Sequence, residues 1–272
     1  LSTKELIAKD KFTAFGQSVQ DSLNMKSTVQ QNIAERILSG NINTGVTVGG
    51  YGEITYNQPE GANGELDVQR LVLLFGYKFN DKTQFITEVE FEHVSEVFVE
   101  QAFLNYSISD NLNFRGGLML VPMGIVNEYH EPTTFNGVSR PSIDKYIAPT
   151  AWREIGAGII GYLPEANIKY QAYVMNGFNG FDGDAKFNAK NGLRKGRQKG
   201  AESFMSSPNL SAKVEYYGIK GLNLGLSGYF GNSQSKAYDG LDEDIPADVD
   251  KADATVVGIS MIGADARYRN SG

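Results

Sequence analysis

Glu88, Glu90 and Glu92 recur at every second position, and Glu96 and Glu100 follow them closely. On a strand, the first three carboxylates share one face at a spacing of about 7 Å. Farther along come Glu128, His130 and Glu131, so both histidines of the chain, His93 and His130, have acidic neighbours in sequence. Carboxylates and imidazole together suit a divalent cation, which makes His93 and His130 weak metal-ligand candidates. Hydrogen bonding that fixes a loop to a wall explains the same residues with less, and no HExxH-type helix favours the metal. The expectation is therefore no resident metal and no cofactor. A hydrolase would need a nucleophile and base in a recognisable setting. His93 beside Ser95, or His130 before Ser139, has no such setting, and the protein is expected not to be an enzyme.

Two charged segments stand apart from these. Lys186, Lys190, Arg194, Lys195, Arg197 and Lys199 are interleaved with glycine. Such a run binds the phosphates of a lipopolysaccharide or funnels anions, unless it is simply solvated. Asp239, Asp242, Glu243, Asp244, Asp248, Asp250 and Asp253 form its acidic counterpart. Runs of this kind bind calcium less often than they are merely solvated.

The elements that must position these groups show in the composition. The chain has 272 residues, 31 Gly, 15 Phe, 14 Tyr, one Trp and no Cys, with a formal charge of −7. The absence of cysteine removes thiol chemistry and disulfides. The acidic balance, with a pI near 5.0, argues against nucleic acid as a partner. Abundant glycine and aromatic residues with a mean hydropathy of −0.31 suit strands that each bury one face. No run of about 18 apolar residues offers a transmembrane helix, but transmembrane strands alternate and escape that test. The first residues, Leu1 to Leu6, lack a basic segment followed by an apolar one, and the expectation is that they are not a signal peptide.

Residues 1–44 show a helical period, with Phe12, Phe15, Val19, Leu23, Val29, Ile33 and Ile37 at steps of three or four. They are expected to form an N-terminal periplasmic arm or plug, helical or flexible. The thin apolar stripe favours a solvated segment over a plug. From Val46 the period becomes two. Ten strands are expected: Val46 to Tyr56, Arg70 to Phe79, Lys82 to Val94, Glu96 to Ile108, Asn111 to Leu120, Trp152 to Leu163, Ala166 to Asn176, Pro208 to Tyr217, Gly221 to Phe230 and Ala254 to Arg269. Most have about ten residues, the length that crosses a bilayer when tilted.

Connections after the even-numbered strands are tight, at Asn80-Asp81, Ser109-Asp110, Pro164-Glu165 and Gly218 to Lys220. Those after the first, fifth, seventh and ninth are long, and the link near Ser95 alone is short. Long loops at one end and tight turns at the other are the mark of outer-membrane barrels. Lysine at mid-membrane on a lipid face costs about 2 to 4 kcal/mol, so Lys169 and Gln171, like Lys213 and Glu215, must face a wet lumen. Ile168, Tyr170, Leu210 and Val214 then face lipid. In the fourth strand Val97, Val99 and Gln101 share a parity, which points to a bulge near Glu100. The expected lumen charges are Arg70, Lys78, Arg115, Lys169, Lys213, Arg267 and Arg269 against Glu53, Glu88, Glu90, Glu92, Glu154, Glu215 and Asp265.

The stretch Gly117-Leu118-Met119-Leu120-Val121-Pro122-Met123-Gly124-Ile125-Val126-Asn127-Glu128-Tyr129-His130-Glu131-Pro132 continues through Gly137-Val138-Ser139-Arg140-Pro141 to Pro149-Thr150-Ala151-Trp152-Arg153-Glu154. It resembles the outer-membrane porin family that includes the phosphate-selective (O/P) porins. Gly49-Gly50-Tyr51-Gly52-Glu53 is similar to the first strand of that family, and Gly196 to Gly200 to a loop segment. The resemblance implies a 16-stranded transmembrane antiparallel up-and-down β-barrel, trimeric, in the outer membrane of a Gram-negative bacterium. It also implies a third extracellular loop folded inward as a constriction. By strand count that loop is 121–151, within a barrel domain spanning 45–272. Ten strands without a final aromatic-terminated one lead to the expectation that the barrel is incomplete at its C-terminal side.

The expected function is passive diffusion of small hydrophilic solutes or ions. Constriction and lumen are assigned to Glu88, Glu90, Glu92, Arg115, Glu128, His130, Glu131, Arg140, Arg153, Glu154, Lys169 and Lys213, and an extracellular basic loop to Lys190, Arg194, Lys195, Arg197 and Lys199. Arg140, Lys145 and Arg153 are opposed by Glu128, Glu131, Asp144 and Glu154, so phosphate specificity is not expected despite the family name. The expected partners are outer-membrane lipid, lipopolysaccharide and the passing solutes. The alternative is a structural barrel whose loops dock a partner protein.

Overall fold

A computed structural model describes residues 32–38, 45–134, 137 and 149–269. Its strands in chain order are β1 (Gly45–Asn57), β2 (Glu65–Lys78), β3 (Thr83–Glu92), β4 (Glu96–Ser109), β5 (Leu112–Leu120), β6 (Arg153–Leu163), β7 (Ile168–Met175), β8 (Asn179–Phe181), β9 (Asn209–Ile219), β10 (Leu222–Asn232), β11 (Gln234–Ser235) and β12 (Gly258–Tyr268). Ten of them form one sheet in the order β1-β2-β3-β4-β5-β6-β7-β9-β10-β12. Every pair in it is antiparallel. The fold is thus an all-β, up-and-down meander in which each of the ten expected strands appears.

Alternation along the strands produces two unlike faces. In β9, Asn209, Ser211, Lys213, Glu215 and Tyr217 are buried while Leu210, Val214 and Tyr216 are exposed. β7 repeats the pattern with Lys169, Gln171, Tyr173 and Met175 inward and Val174 outward. The expected bulge is present: Glu88 pairs with Gln101 and Val89 with Val99, which leaves Glu100 as the extra residue. Glu100 and Gln101 therefore both turn inward, and Val97 and Val99 both turn out.

One loop shows how strongly the sheet curls. The described part of the connection between β5 and β6 carries 3-10 turns at Asn127–Tyr129 and Pro132–Thr134. From inside the sheet it reaches side chains on β4, β7, β9 and β10. The curled sheet stays open, since among the described residues β1 and β12 each pair on one side only. These ten strands do not close on themselves, and each edge leaves backbone groups without a ladder partner.

Three other differences from the sequence reading are local. β8 and β11, two short strands in the long connections, pair in parallel, which no periodicity announced. The acidic segment contains a helix, Pro246–Asp253, with Pro at its first turn, Asp248 near its N-terminus and Lys251 in its last turn. Those positions suit helix geometry and dipole. The preference for a solvated N-terminal segment is corrected for residues 32–38: the helix Ile33–Leu38 lies on the inner face with Ala34 and Glu35 buried. The rest of the proposed arm, including Phe12, Phe15, Val19, Leu23 and Val29, lies outside the described residues.

Candidate functional site

The inner face of β1 to β4 is a wall of carboxylates. Glu53, Arg70 and Glu92 fall in one cross-strand row. The Arg70 guanidinium sits 2.8 Å from Glu53, 2.7 Å from Glu90 and 3.9 Å from Glu92. Glu88 accepts a hydrogen bond from Gln101 at 2.7 Å, which the bulge makes possible. Glu100 is held by Arg153 from β6 at 2.7 Å, and His130 Nε2 lies 3.9 Å from the other carboxylate oxygen. The row expected from sequence is therefore real, with Glu88 and Glu90 buried and Glu92 half-buried at its end.

The opposite wall carries lysines. Lys213 Nζ lies 3.1 Å from Glu128 and 3.5 Å from Glu215, and it donates to the Gly124 carbonyl at 3.1 Å. Lys169 Nζ lies 2.9 Å from Glu35 and 3.4 Å from Glu215, and it donates to the Tyr129 hydroxyl at 3.5 Å. Both lysines are only 1% exposed. Gln171 donates to Glu128 at 2.8 Å, and the Gly124 amide donates to Ser227 at 3.1 Å. Burial pushes the Glu128 carboxyl up, but Lys213, Lys169 and the bonds from Gln171 and Lys213 outweigh it and hold it below its ordinary value.

The loop is pinned at its base as well as at Gly124 and Glu128. Asn127 donates to the Val121 and Trp152 carbonyls at 2.7 and 2.8 Å and accepts from the Trp152 amide at 2.9 Å. His130 Nδ1 donates to the Asn127 carbonyl at 2.9 Å. Trp152 stacks on Phe178 with ring centroids 4.4 Å apart and meets Tyr229 edge-on at 4.7 Å. Its indole NH donates to Glu154 at 2.8 Å. Gly117, where the motif begins, has φ +140°, and a Cβ there would sit 2.3 Å from the Ala102 carbonyl oxygen. Only glycine allows β4 and β5 to approach so closely there.

The residues named from sequence divide accordingly. Glu88, Glu90, Glu100, Glu128, His130, Glu131, Arg153, Glu154, Lys169 and Lys213 are all buried on or against the inner face. Arg115 also faces inward, bonded to Asn105 at 2.9 Å and placed over the Phe103 ring. Arg140, Lys145 and Ser139 lie outside the described residues. The two histidines are not brought together: His93 pairs with Asp67 at 2.6 Å on the β3-β4 turn, far from His130 in its partners. Among the described residues no group of three or more His, Asp and Glu is arranged to hold a metal ion. Ser95 Oγ turns to the His93 backbone carbonyl rather than to its ring.

The basic loop is only partly a solvated surface. Lys190 and Lys195 are exposed. Arg197 instead donates to the Thr150 and Ala151 carbonyls at the loop base, and Lys199 lies over the Phe98 ring. Burial, then the nearby Arg197 and Arg153, hold the Lys199 ammonium below its ordinary value. Sequence reasoning placed Gln171 on the inner face but missed Asn127, Ser227 and Glu35 as parts of this network. Gln171 and Ser227 were readable from parity once Lys213 faced inward, since both lie opposite it in register. Asn127 and Glu35 carry no such signal.

No family model matches the chain. An uncharacterized protein of Aquifex aeolicus (strain VF5) is 38% identical over 205 residues, covering 72% of this chain and 46% of that protein. The chain thus spans about half the length of the curated relative it matches. Among solved structures it is similar to OmpTΔL8, a loop L8 deletion mutant of OmpT, an outer membrane protein of Vibrio cholerae. The TM-score is 0.35 at 13% identity, covering 84% of this chain and 78% of that one. The trimer form of in-vitro folded OmpT scores 0.28 at 13% identity, over 69% and 66% of the two chains.

Proposed function

We propose that the chain is part of an outer-membrane pore through which small hydrophilic solutes or ions diffuse, narrowed by the inward loop. The observation that carries this reading is the division of the curled sheet. Its outer face exposes Val48, Leu71, Leu104, Val174, Leu226 and Ile262 on β1, β2, β4, β7, β10 and β12, while its inner face holds paired charges. An exposed apolar surface of that extent belongs against lipid, and a charged interior belongs with water. The ten strands of the sheet have eight to fourteen residues, a match to a tilted crossing.

A closed barrel leaves no edge in lipid, so this reading includes further strands joining β1 to β12. The greater length of the Aquifex aeolicus relative leaves room for them. It also includes the homotrimer and the O/P-porin kinship implied by the central motif. In this reading the exposed Lys190 and Lys195 meet lipopolysaccharide phosphates, and no enzymatic step is assigned. The surplus of carboxylates on β1 to β4 makes the pore weakly cation-selective.

Reconstitution in a planar bilayer tests the proposal. Stepwise currents are expected, with a reversal potential in a salt gradient that favours the cation. Absence of current from the inserted protein would sink the pore reading, and a reversal potential favouring chloride would sink the selectivity alone.

A further inference from the structure

The helix Ile33–Leu38 is short, yet it is held in a way that a passing surface contact is not. Asn32 and Glu35 cap it reciprocally: the Asn32 side chain accepts from the Glu35 amide at 2.9 Å, and Glu35 Oε2 accepts from the Asn32 amide at 3.4 Å. The same Glu35 carboxylate binds Lys169 through both oxygens, at 2.9 and 3.0 Å, and is 4% exposed. Ala34 is buried, and Ile37 packs where Gly76 leaves space on β2. Gly76 lies just before the tight β2-β3 turn, and Lys169 just after the tight β6-β7 turn. The helix therefore occupies the inner face at the short-turn end, opposite the end from which the long loop enters. Both obstacles meet at one side chain, since Lys169 also reaches Tyr129 of the loop.

We infer that residues 32–38 are a displaceable plug that narrows the short-turn mouth of the pore, latched by the Glu35 to Lys169 ion pair. The inference rests on the pore reading above. A helix with its side chains is roughly 10 Å across, enough to take up much of a lumen already shared with an inward loop. The helix has only six residues, seated through Ala34, Ile37 and Leu38, and Lys169 keeps Glu215 at 3.4 Å when the helix leaves, so the contact can be released.

The chain has no cysteine, which allows a clean lock. A Cβ on Gly76 would lie 2.7 Å from Ile37 Cγ2, so the full chain carrying Ile37→Cys and Gly76→Cys is expected to form a disulfide on oxidation after insertion into a bilayer. The oxidised form should lose most of its current, and reduction should restore it. Glu35→Gln keeps the reciprocal cap but gives up the charge on Lys169, and should raise the open fraction about tenfold. Equal currents from oxidised and reduced forms, together with an unchanged Glu35→Gln, would overturn the plug and leave the pore reading standing. Failure of the cysteines to join would likewise overturn it. Absence of current from every form, the reduced one included, would remove the pore reading and the plug's role with it.

Discussion

The two inner walls of the sheet solve opposite charge problems. On β1 to β4, carboxylates outnumber cations, and Glu53, Glu90 and Glu92 share the single guanidinium of Arg70. On β7 and β9, Lys169 and Lys213 share Glu215 as their ion-pair partner from the sheet among the described residues. The missing carboxylates arrive from elsewhere: Glu128 on the inward loop and Glu35 on the N-terminal helix. A buried ammonium without a partner is costly, so the lysine wall selects what docks on it. The acidic wall takes Arg153 from β6 and stays richer in negative charge.

If that contrast is right, the two walls respond unequally to losing a cation. Lys213→Ala removes the partner of buried Glu128 and a bond to the Gly124 carbonyl, and should cost about 3–5 kcal/mol of stability in urea unfolding from detergent or lipid. Adding Glu128→Ala should recover much of the loss, because the orphaned charge goes with it. Arg153→Met should cost less, about 1–3 kcal/mol, since Glu100 sits among carboxyl groups and His130 that can share a proton. Equal losses at the two sites would erase the distinction between the walls.

The ten strands were legible because one apolar and one charged face impose a strict period of two, and Lys169, Lys213 and Glu215 can face only one way. The bulge at Glu100 was legible for the same reason, as a break in parity between Val99 and Gln101. What docks on the walls was not. Glu35 lies 134 positions from Lys169, in a segment whose thin apolar stripe suggests solvation. Its burial depends on a partner that no local pattern reveals. The basic loop leaves a similar gap: its glycine-interleaved charges allow a phosphate-binding or a solvated run, and neither reading puts Arg197 on the carbonyls of Thr150 and Ala151. Spacing shows which face a strand residue takes, but a loop side chain is placed by tertiary partners.

Acid should discriminate between the docked loop and the sheet that holds it. The Glu128 carboxyl is held below its ordinary value in the folded protein, so its contribution is fully present above the unfolded value, near 4.5, and is lost as pH falls through the lower folded one. Between pH 5 and 8 this group should leave docking unchanged. Below about pH 4 the loop should loosen, and the emission of the single tryptophan, Trp152 at the loop base, should shift to the red. Lys213→Gln should move the change toward higher pH, since it removes the nearest cation. A transition at the same pH in both proteins would assign it to another group.

The smallest effect belongs to the far end of the carboxylate row. Glu92 is half-buried and 3.9 Å from Arg70, so Glu92→Gln should alter stability by no more than about 0.5 kcal/mol. Its consequence should appear in conduction instead. Removing one charge from a wall with surplus carboxylates lowers its attraction for cations, and the reversal potential in a salt gradient should move a little toward zero. The matching change on the other wall, Lys213→Gln, should move it the opposite way, provided both walls border the path of the ions. A shift from Lys213→Gln without one from Glu92→Gln would place the permeating path along the lysine wall alone, and the excess charge on β1 to β4 would then serve to position the loop through Arg153 and His130 rather than to select ions.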